Sequence, residues 1–300
     1  MGELLRGSAP PRARLRELLA GARPVVAPGS YDALSARLVE QAGFDVVYMS
    51  GFGSTASLIG RPDVGLLSGA EMIDNARRIV AAVDVPVIAD ADTGYGNAIN
   101  VLRTVQDHEQ AGVAGIQLED QVMPKKCGHI SGKAVIGVDE MAGKIRAAVA
   151  ARRDPDFVLI ARTDAAAVEG VDAAVDRARA YADAGADVLF VEAPTSEDDI
   201  ARVAEQLRDV APLVFNWAEG GRTPPLSLER IAQLGYSLVL FPVGTLLAAT
   251  AGMQALLATL RADGTPAAAM PGLPTLPDFT DLVGLPEVRL LEERFGAAGA

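Results

Sequence analysis

Acidic and amide side chains recur where short apolar runs stop in this 300-residue chain. The runs end Ala89-Asp90-Ala91-Asp92-Thr93-Gly94, Leu118-Glu119-Asp120, Ala161-Arg162-Thr163-Asp164 and Val191-Glu192-Ala193, and another stops at Asn216. Carboxylates gathered in one place repel one another and resist ionisation unless a cation joins them. Hard oxygen donors, with water completing the shell, suit Mg2+ or Mn2+ better than zinc. Asp90 and Asp92 alternate along a strand, which predicts that both point to one side, one toward a metal ion and the other toward a metal-held water. Each acid taken singly could equally be a helix cap or a loop carboxylate; the argument for a site rests on their joint recurrence. Arg162 and Asn216 are then suited to a substrate carboxylate or oxyanion, because a guanidinium matches a carboxylate in a bidentate fork. Arg162 could instead balance Glu192 as a structural ion pair.

A second cluster is Met123-Pro124-Lys125-Lys126-Cys127-Gly128-His129, which holds the chain's single cysteine. A lone cysteine is often an apolar filler. Here it sits in a polar, glycine-containing loop, and the flanking lysines and histidine are expected to favour thiolate and lower its pKa. A thiol so placed could exchange a proton with a carbanion or act as a nucleophile. The other histidine, His108, falls mid-helix and reads as a surface residue.

These groups need a scaffold that brings strand ends together. Apolar, β-branched runs at 25–28, 45–50, 86–92, 115–120, 157–164, 187–193, 213–217 and 237–242 read as strands. Amphipathic stretches at 31–42, 70–83, 98–111, 139–152, 171–184, 198–207 and 228–234 read as the helices between them. Gly43, Gly112, Gly185 and Gly235 end several of those helices, where a left-handed stop suits glycine. Eight buried strands interleaved with helices imply parallel pairing. The α/β class therefore holds, with a closed (β/α)8 TIM-type barrel as the expectation and catalytic groups at the strands' carboxyl ends. An open doubly wound sheet is the alternative, although no G-x-G-x-x-G follows the first strand. Residues 1–264 read as the barrel and 265–300 as a proline-punctuated linker and final helix, packed on a neighbouring subunit or serving as a lid or tail.

The formal charge of -12 argues against a nucleic-acid partner. An anionic substrate would then need a local cation or metal. No run of about 20 apolar residues marks a membrane span, and the arginines at 12, 14 and 16 are not followed by a signal-peptide core. The composition reads as a soluble cytoplasmic protein.

In its motifs the chain resembles the isocitrate lyase/phosphoenolpyruvate mutase superfamily over about residues 25–264. The motifs are YMSG at 48–51, RPDVG at 61–65, DADTGYGN at 90–97, QLEDQ at 117–121, KKCGH at 125–129, ARTDA at 161–165 and EGGRTP at 219–224. The resemblance implies a barrel with Mg2+ at Asp90 and Asp92, supported by Asp63 and Glu119. It implies that Ser50, Gly51, Phe52 and Gly128 hold the carboxylate end of a 2-oxo or 2-hydroxy acid, with Arg162, Glu192 and Asn216 as further contacts. Cys127, beside Lys126 and His129, would be the acid that protonates a departing carbanion, on a loop that closes over the site. Tyr48 is the candidate base for the substrate hydroxyl. The last helix would be exchanged between subunits of a homotetramer, a dimer of dimers.

Two details narrow the expectation. Residues 241–250 carry no arginine where the tricarboxylate branches have them, so a third substrate carboxylate would lack a partner. EGGRTP resembles the branch that acts on smaller substrates: dimethylmalate lyase, oxaloacetate hydrolase and carboxyphosphonoenolpyruvate phosphonomutase. The leading expectation is a carbon–carbon lyase for a small 2-hydroxy dicarboxylate such as an alkylmalate. A phosphonomutase and an oxaloacetate hydrolase or decarboxylase are the alternatives, and a non-catalytic binding protein is the plain one. Phe52 and Trp217 either add apolar bulk beside the substrate or pack the barrel.

Overall fold

All eight apolar runs form strands in the computed structural model, which describes residues 11–296. They are β1 (Val25–Ser30), β2 (Val47–Met49), β3 (Val87–Asp90), β4 (Gly115–Glu119), β5 (Val158–Thr163), β6 (Val188–Val191), β7 (Val214–Asn216) and β8 (Leu238–Phe241). They pair in parallel in the order β6-β5-β4-β3-β2-β1-β8-β7. A parallel bridge from Leu189 in β6 to Leu213 beside β7 brings the two edges together. The sheet is thus a nearly closed barrel, not the doubly wound alternative.

The barrel helices are α1 (Arg12–Leu19), α2 (Ala33–Gln41), α3 (Gly51–Ile59), α4 (Gly69–Val80), α5 (Ala98–Ala111), α6 (Val138–Ala151), α7 (Val171–Asp183), α8 (Glu197–Leu207) and α9 (Leu228–Leu234). Their starts are written in the sequence. Ser68 and Glu71 form a capping box on α4, and Asp32 and Asn97 do the same work on α2 and α5. Beyond β8 come α10 (Gly244–Asp263), α11 (Leu276–Leu282) and α12 (Leu285–Phe295). The described residues form two compact units, one ending at Leu246, which holds the barrel, and the other containing residues 247–296, so the boundary falls inside α10. Among the described residues no helix is long and apolar enough to cross a membrane.

Alternation along each strand decides what enters the barrel. One face of the strands packs on the helices, through residues such as Val47, Ala89, Ile116, Leu159 and Leu189. The other face fills the barrel with Val25, Ala27, Tyr48, Ile88, Val158, Ile160, Val188, Phe190, Val214, Leu238 and Leu240. Two residues further along most of the strands, on that same inward face, the chain turns polar. Tyr48 is followed by Ser50, Ile88 by Asp90, Ile160 by Arg162, Phe190 by Glu192 and Val214 by Asn216, while in β4 Glu119 follows the already polar Gln117. The interior is therefore oil at one end and charge at the other.

The apolar end is stoppered by a helix that the hydrophobic pattern did not reveal. Leu15 and Leu19 of α1 join the inner cluster. The three arginines of α1 face the start of the strands: Arg12 donates to the Val113 carbonyl (3.1 Å) and pairs with Asp154 (2.9 Å), Arg14 pairs with Asp45, and Arg16 pairs with Asp187 (3.0 Å). At the other end β1 and β8 meet without room for a side chain, since a Cβ on Gly29 would lie 2.1 Å from the Pro242 carbonyl oxygen.

His108 corrects a sequence expectation. It is fully buried, not on the surface, with Nδ1 bonded to the Thr104 carbonyl at 2.8 Å, and burial depresses its pKa to about 4. The neutral ring behaves as one more core side chain of α5.

Candidate active site

At the polar end of the barrel lies a cavity of about 200 Å³. Its walls include Tyr48, Ser50, Phe52, Asp63, Asp90, Cys127, Gly128, His129, Arg162, Glu192 and Asn216. The strand ends and the β4–α6 loop thus bring most of the expected site residues to one place. Asp92 and Glu119 lie against this wall through Lys125 and Arg162. Lys126 is not brought in: its ammonium turns away to the Gly132 carbonyl at 2.7 Å.

Its neighbour takes the inward position that the sequence reading did not single out. Lys125 is buried, and its Nζ lies 2.6 Å from Asp63 and 2.7 Å from Asp92. Burial works against its charge, but Asp92, Asp90, Glu119 and Asp63 outweigh it and hold the ammonium well above the usual lysine range. The acids feel the reverse. Burial raises Asp92 to about 6 despite Lys125, with Asp90 and Asp63 adding to the rise. Glu119 is pushed up by burial more than Arg162 lowers it.

The route by which Asp90 and Asp92 converge also differs from the expectation. β3 stops at Asp90, and Asp92 adopts a left-handed φ of 47°. Its N–H donates to the Asp90 carboxylate at 3.1 Å, and its carbonyl accepts from Glu119 N at 2.9 Å. A strained turn, costing about 1–3 kcal/mol in such conformations, gathers them, where strand alternation had been expected to.

Among the described residues no three acidic, histidine or cysteine side chains are drawn tightly enough to hold an ion as they stand. The chemistry of the donor set nevertheless fits a hard divalent cation. Asp90, Asp92 and Glu119 are buried oxygen donors; burial first, and then neighbouring carboxylates, raise Asp92 and Glu119, and Glu119 Oε1 has no hydrogen-bond partner among the described residues.

Arg162 satisfies both readings offered for it. It forks onto Asp164 with two bonds of 3.0 Å, lies 3.2 Å from Glu119 and 3.3 Å from Glu192, and stacks over Phe190 at 5.3 Å. It is a structural ion pair that also lines the cavity. Burial alone would raise Glu192; Arg162, then His129 and Lys133, outweigh it and hold the carboxyl down at about 2. Asn216 donates to both Glu192 oxygens at 3.1 and 3.2 Å.

The loop histidine is oriented from two sides. The Arg222 N–H donates to His129 Nδ1 at 3.0 Å, so Nε2 carries the proton and faces Glu192 Oε1 at 3.3 Å. Cys127 next to it departs from expectation. Burial raises the thiol, and a bond from the His129 backbone only partly offsets this. The flanking lysines that should have lowered it point elsewhere, Lys125 to the acids and Lys126 to Gly132. Cys127 is held as a thiol. Tyr48 is likewise kept protonated, chiefly by burial and then by Asp90, and its hydroxyl lies 3.5 Å from Gln117 Oε1.

Ser50, Gly51 and Phe52 owe their place to α3, a helix too rich in glycine, serine and threonine to read as one. Ser50 is its N-cap, accepting from Gly53 N at 3.2 Å. The segment is thus a helix N-terminus at the cavity, where a carboxylate is favoured. Phe52 lines the cavity, whereas Trp217 packs, stacked on Phe241 at 5.5 Å and donating to the Leu226 carbonyl. Glu219 was named only within a motif. Its carboxylate caps α10 by accepting from Val243 N and Gly244 N at 3.1 and 2.8 Å.

Comparison with known proteins finds likeness along nearly the whole chain. The family model of phosphoenolpyruvate phosphomutase matches residues 15–261. The chain is 48% identical to 2,3-dimethylmalate lyase of Eubacterium barkeri over 94% of its own length and 97% of the relative's. A solved structure of oxaloacetate acetylhydrolase with the inhibitor 3,3-difluorooxalacetate superposes with a TM-score of 0.91 at 38% identity, covering 97% of this chain and 99% of that one. A phosphonopyruvate hydrolase in complex with oxalate and Mg++ superposes with a TM-score of 0.87 at 34% identity, covering 95% and 98%.

The protonation of Cys127 is open to measurement. The rate of its alkylation, followed against pH in the metal-free protein, should rise with an inflection above the ordinary thiol value, because the folded state holds the proton. An inflection near neutrality would restore the thiolate expectation.

Proposed function

The chain belongs to the phosphoenolpyruvate phosphomutase family, and on that premise we propose that it is a Mg2+-dependent carbon–carbon lyase for a small 2-hydroxy dicarboxylate of the alkylmalate kind. The observation that carries the reading is the placement of Cys127, whose thiol pKa burial raises, in the same small cavity as an acidic cluster and a buried arginine. An acid catalyst must begin with its proton in place.

Cleavage of the C2–C3 bond sends the 2-hydroxyl proton to a base and leaves C2 as a carbonyl. The electron pair of the broken bond goes to C3, beside its carboxylate, and C3 takes the proton of Cys127. Atoms and charge balance once the base's proton returns to the sulfur through solvent. Asp90, Asp92 and Glu119 would hold the Mg2+, with Asp63 and Lys125 beside them. The ion would supply positive charge for the oxygens that become negative as the bond breaks. Tyr48 faces the cavity as the base, a role that needs that added positive charge to offset burial and Asp90. The N-terminus of α3 and Arg162 orient the substrate's carboxylates, and the Cys127 loop keeps water from the carbanion.

The lining supports a small substrate. It includes Phe52, Ala218, Pro242 and Val243, and Glu219 among them already accepts two backbone N–H groups. Residues 241–250 include no cation to receive a third carboxylate. An alkyl group fits the apolar lining better.

The second unit suggests how subunits associate. None of the residues of α10, α11 or α12 is buried, and Leu247, Leu257, Leu276 and Phe295 are all exposed. We propose that these helices pack on other copies of the chain, the last exchanged between subunits of a homotetramer. Sedimentation equilibrium should return about four chain masses; a species of 31.1 kDa would overturn it.

The assay that tests the activity measures pyruvate from alkylmalates, methylisocitrate and oxaloacetate, with and without Mg2+. An alkylmalate should give pyruvate only with the metal, and Cys127→Ser should lower turnover by about 10²–10⁴-fold with metal binding unchanged. Oxalate from oxaloacetate, with alkylmalates inert, would favour a hydrolase. Silence across the panel with Mg2+ bound would favour phosphonomutase chemistry.

Mg2+ affinity should also depend on pH in a defined direction. Asp92 at about 6 and the raised Glu119 keep protons at mildly acid pH that must leave before the ion binds. Binding should therefore strengthen from about pH 5 to pH 7 and release protons, as calorimetry in two buffers would show. A flat profile would contradict the assignment of these acids.

A further inference from the structure

The loop that carries Cys127 connects β4 to α6 and is attached mainly through polar groups. Gln121 bonds to both the N–H and the carbonyl of Lys126 at 2.9 and 2.8 Å. Cys127 N donates to the Asp63 carbonyl at 3.2 Å, and Lys125 and His129 reach the acids of the site. Of its larger apolar side chains, Val122, Met123 and Ile130 are each at least 40% exposed, and Ile136, next to α6, packs on the core. A segment so attached opens at lower cost than the strands beneath it. What keeps it shut is a matter of a few charged contacts.

One contact has a special position. The Lys133 side chain is 2% exposed, and its ammonium lies 3.2 Å from Asp164, which is fully buried. The same ammonium donates to the Gly128 carbonyl, in the peptide that joins Gly128 to His129. Asp164 is also the carboxylate that fixes Arg162 through two bonds of 3.0 Å, and Asp120 holds its N–H at 2.9 Å. One anchored carboxylate therefore holds both the cavity-facing guanidinium and the lid. The fit beneath the lid is close: a Cβ on Gly128 would lie 2.5 Å from Arg162 Nη2 and from Glu192 Cγ.

We propose that Lys133 is a positioning residue, a clasp between Asp164 and the Gly128 carbonyl that holds the Cys127 loop closed over the cavity. It touches no reacting atom. It acts by fixing the backbone on which Cys127 and His129 are mounted, and by linking lid position to the orientation of Arg162. Without it, Gly128 has no charged donor, Asp164 keeps only Arg162 as a charged partner, and the loop lifts from the wall it forms.

The test uses the whole 300-residue chain and needs no substrate, so it stands apart from the lyase assay. Cys127 is the single cysteine, so labelling by a maleimide at fixed pH reports this loop alone. Lys133→Met should label about tenfold faster or more, because each lost charge-assisted bond moves the open–closed balance by roughly a decade. Lys133→Arg, which keeps charge and donors, should return most of the protection. Circular dichroism melting confirms that the barrel is folded in each; if Lys133→Met does not fold, Lys133→Gln is read in its place. Labelling of the neutral variant at the wild-type rate would overturn the proposal, and so would equal acceleration in Lys133→Arg.

Discussion

The charge balance at the mouth of the barrel constrains everything around it. Asp63, Asp90, Asp92, Glu119, Asp164 and Glu192 are buried there, and the cations set among them are Lys125, Lys133 and Arg162. Removing one partner of a buried pair leaves a charge uncompensated, at about 3–5 kcal/mol. The cations therefore cannot be chosen freely. Two of the three come from the loop and only Arg162 from the barrel wall, so most of the positive charge at the barrel mouth is supplied by the loop. A divalent cation would ease the remaining excess of negative charge at Asp92 and Glu119.

The register of the strands makes that arrangement possible. Inward positions change from apolar to polar within one two-residue step, as in Ile160 to Arg162 or Phe190 to Glu192. Dispersion and burial below hold the strands fixed, while the charges above sit on the same rigid backbone. The Leu15 and Leu19 plug closes the end that has no chemistry. Stability and reactivity thus occupy opposite ends of the same eight strands, the division expected of such barrels.

The strands were legible because buried parallel strands read as apolar runs, and the acids at their ends because strand ends meet in space. The motifs named most of the cavity lining. What stayed hidden depended on direction in three dimensions. Lys125 and Lys126 are adjacent and chemically alike, and only the loop's path turns one inward. Asp92 is gathered by a left-handed turn that no alternation rule describes. Cys127 was read from its neighbours in sequence, whereas its proton is governed by burial. Lys133 lies four residues past the loop's recognisable motif, and nothing in its spacing points to Asp164. The surface reading of His108 failed because a histidine in an amphipathic stretch can sit on either face, and here it lies inside with Nδ1 bonded to the Thr104 carbonyl.

The hydrogen bond from the Arg222 amide to His129 Nδ1 has a consequence for how this site can vary. The donor is main chain, so the position of the imidazole proton is independent of which side chain stands at 222. Any residue with an N–H preserves the tautomer that faces Glu192; proline, which lacks one, does not. The tautomer of a site histidine is thereby encoded in the path of the β7–α9 segment and shielded from almost every point mutation at the residue that supplies the donor.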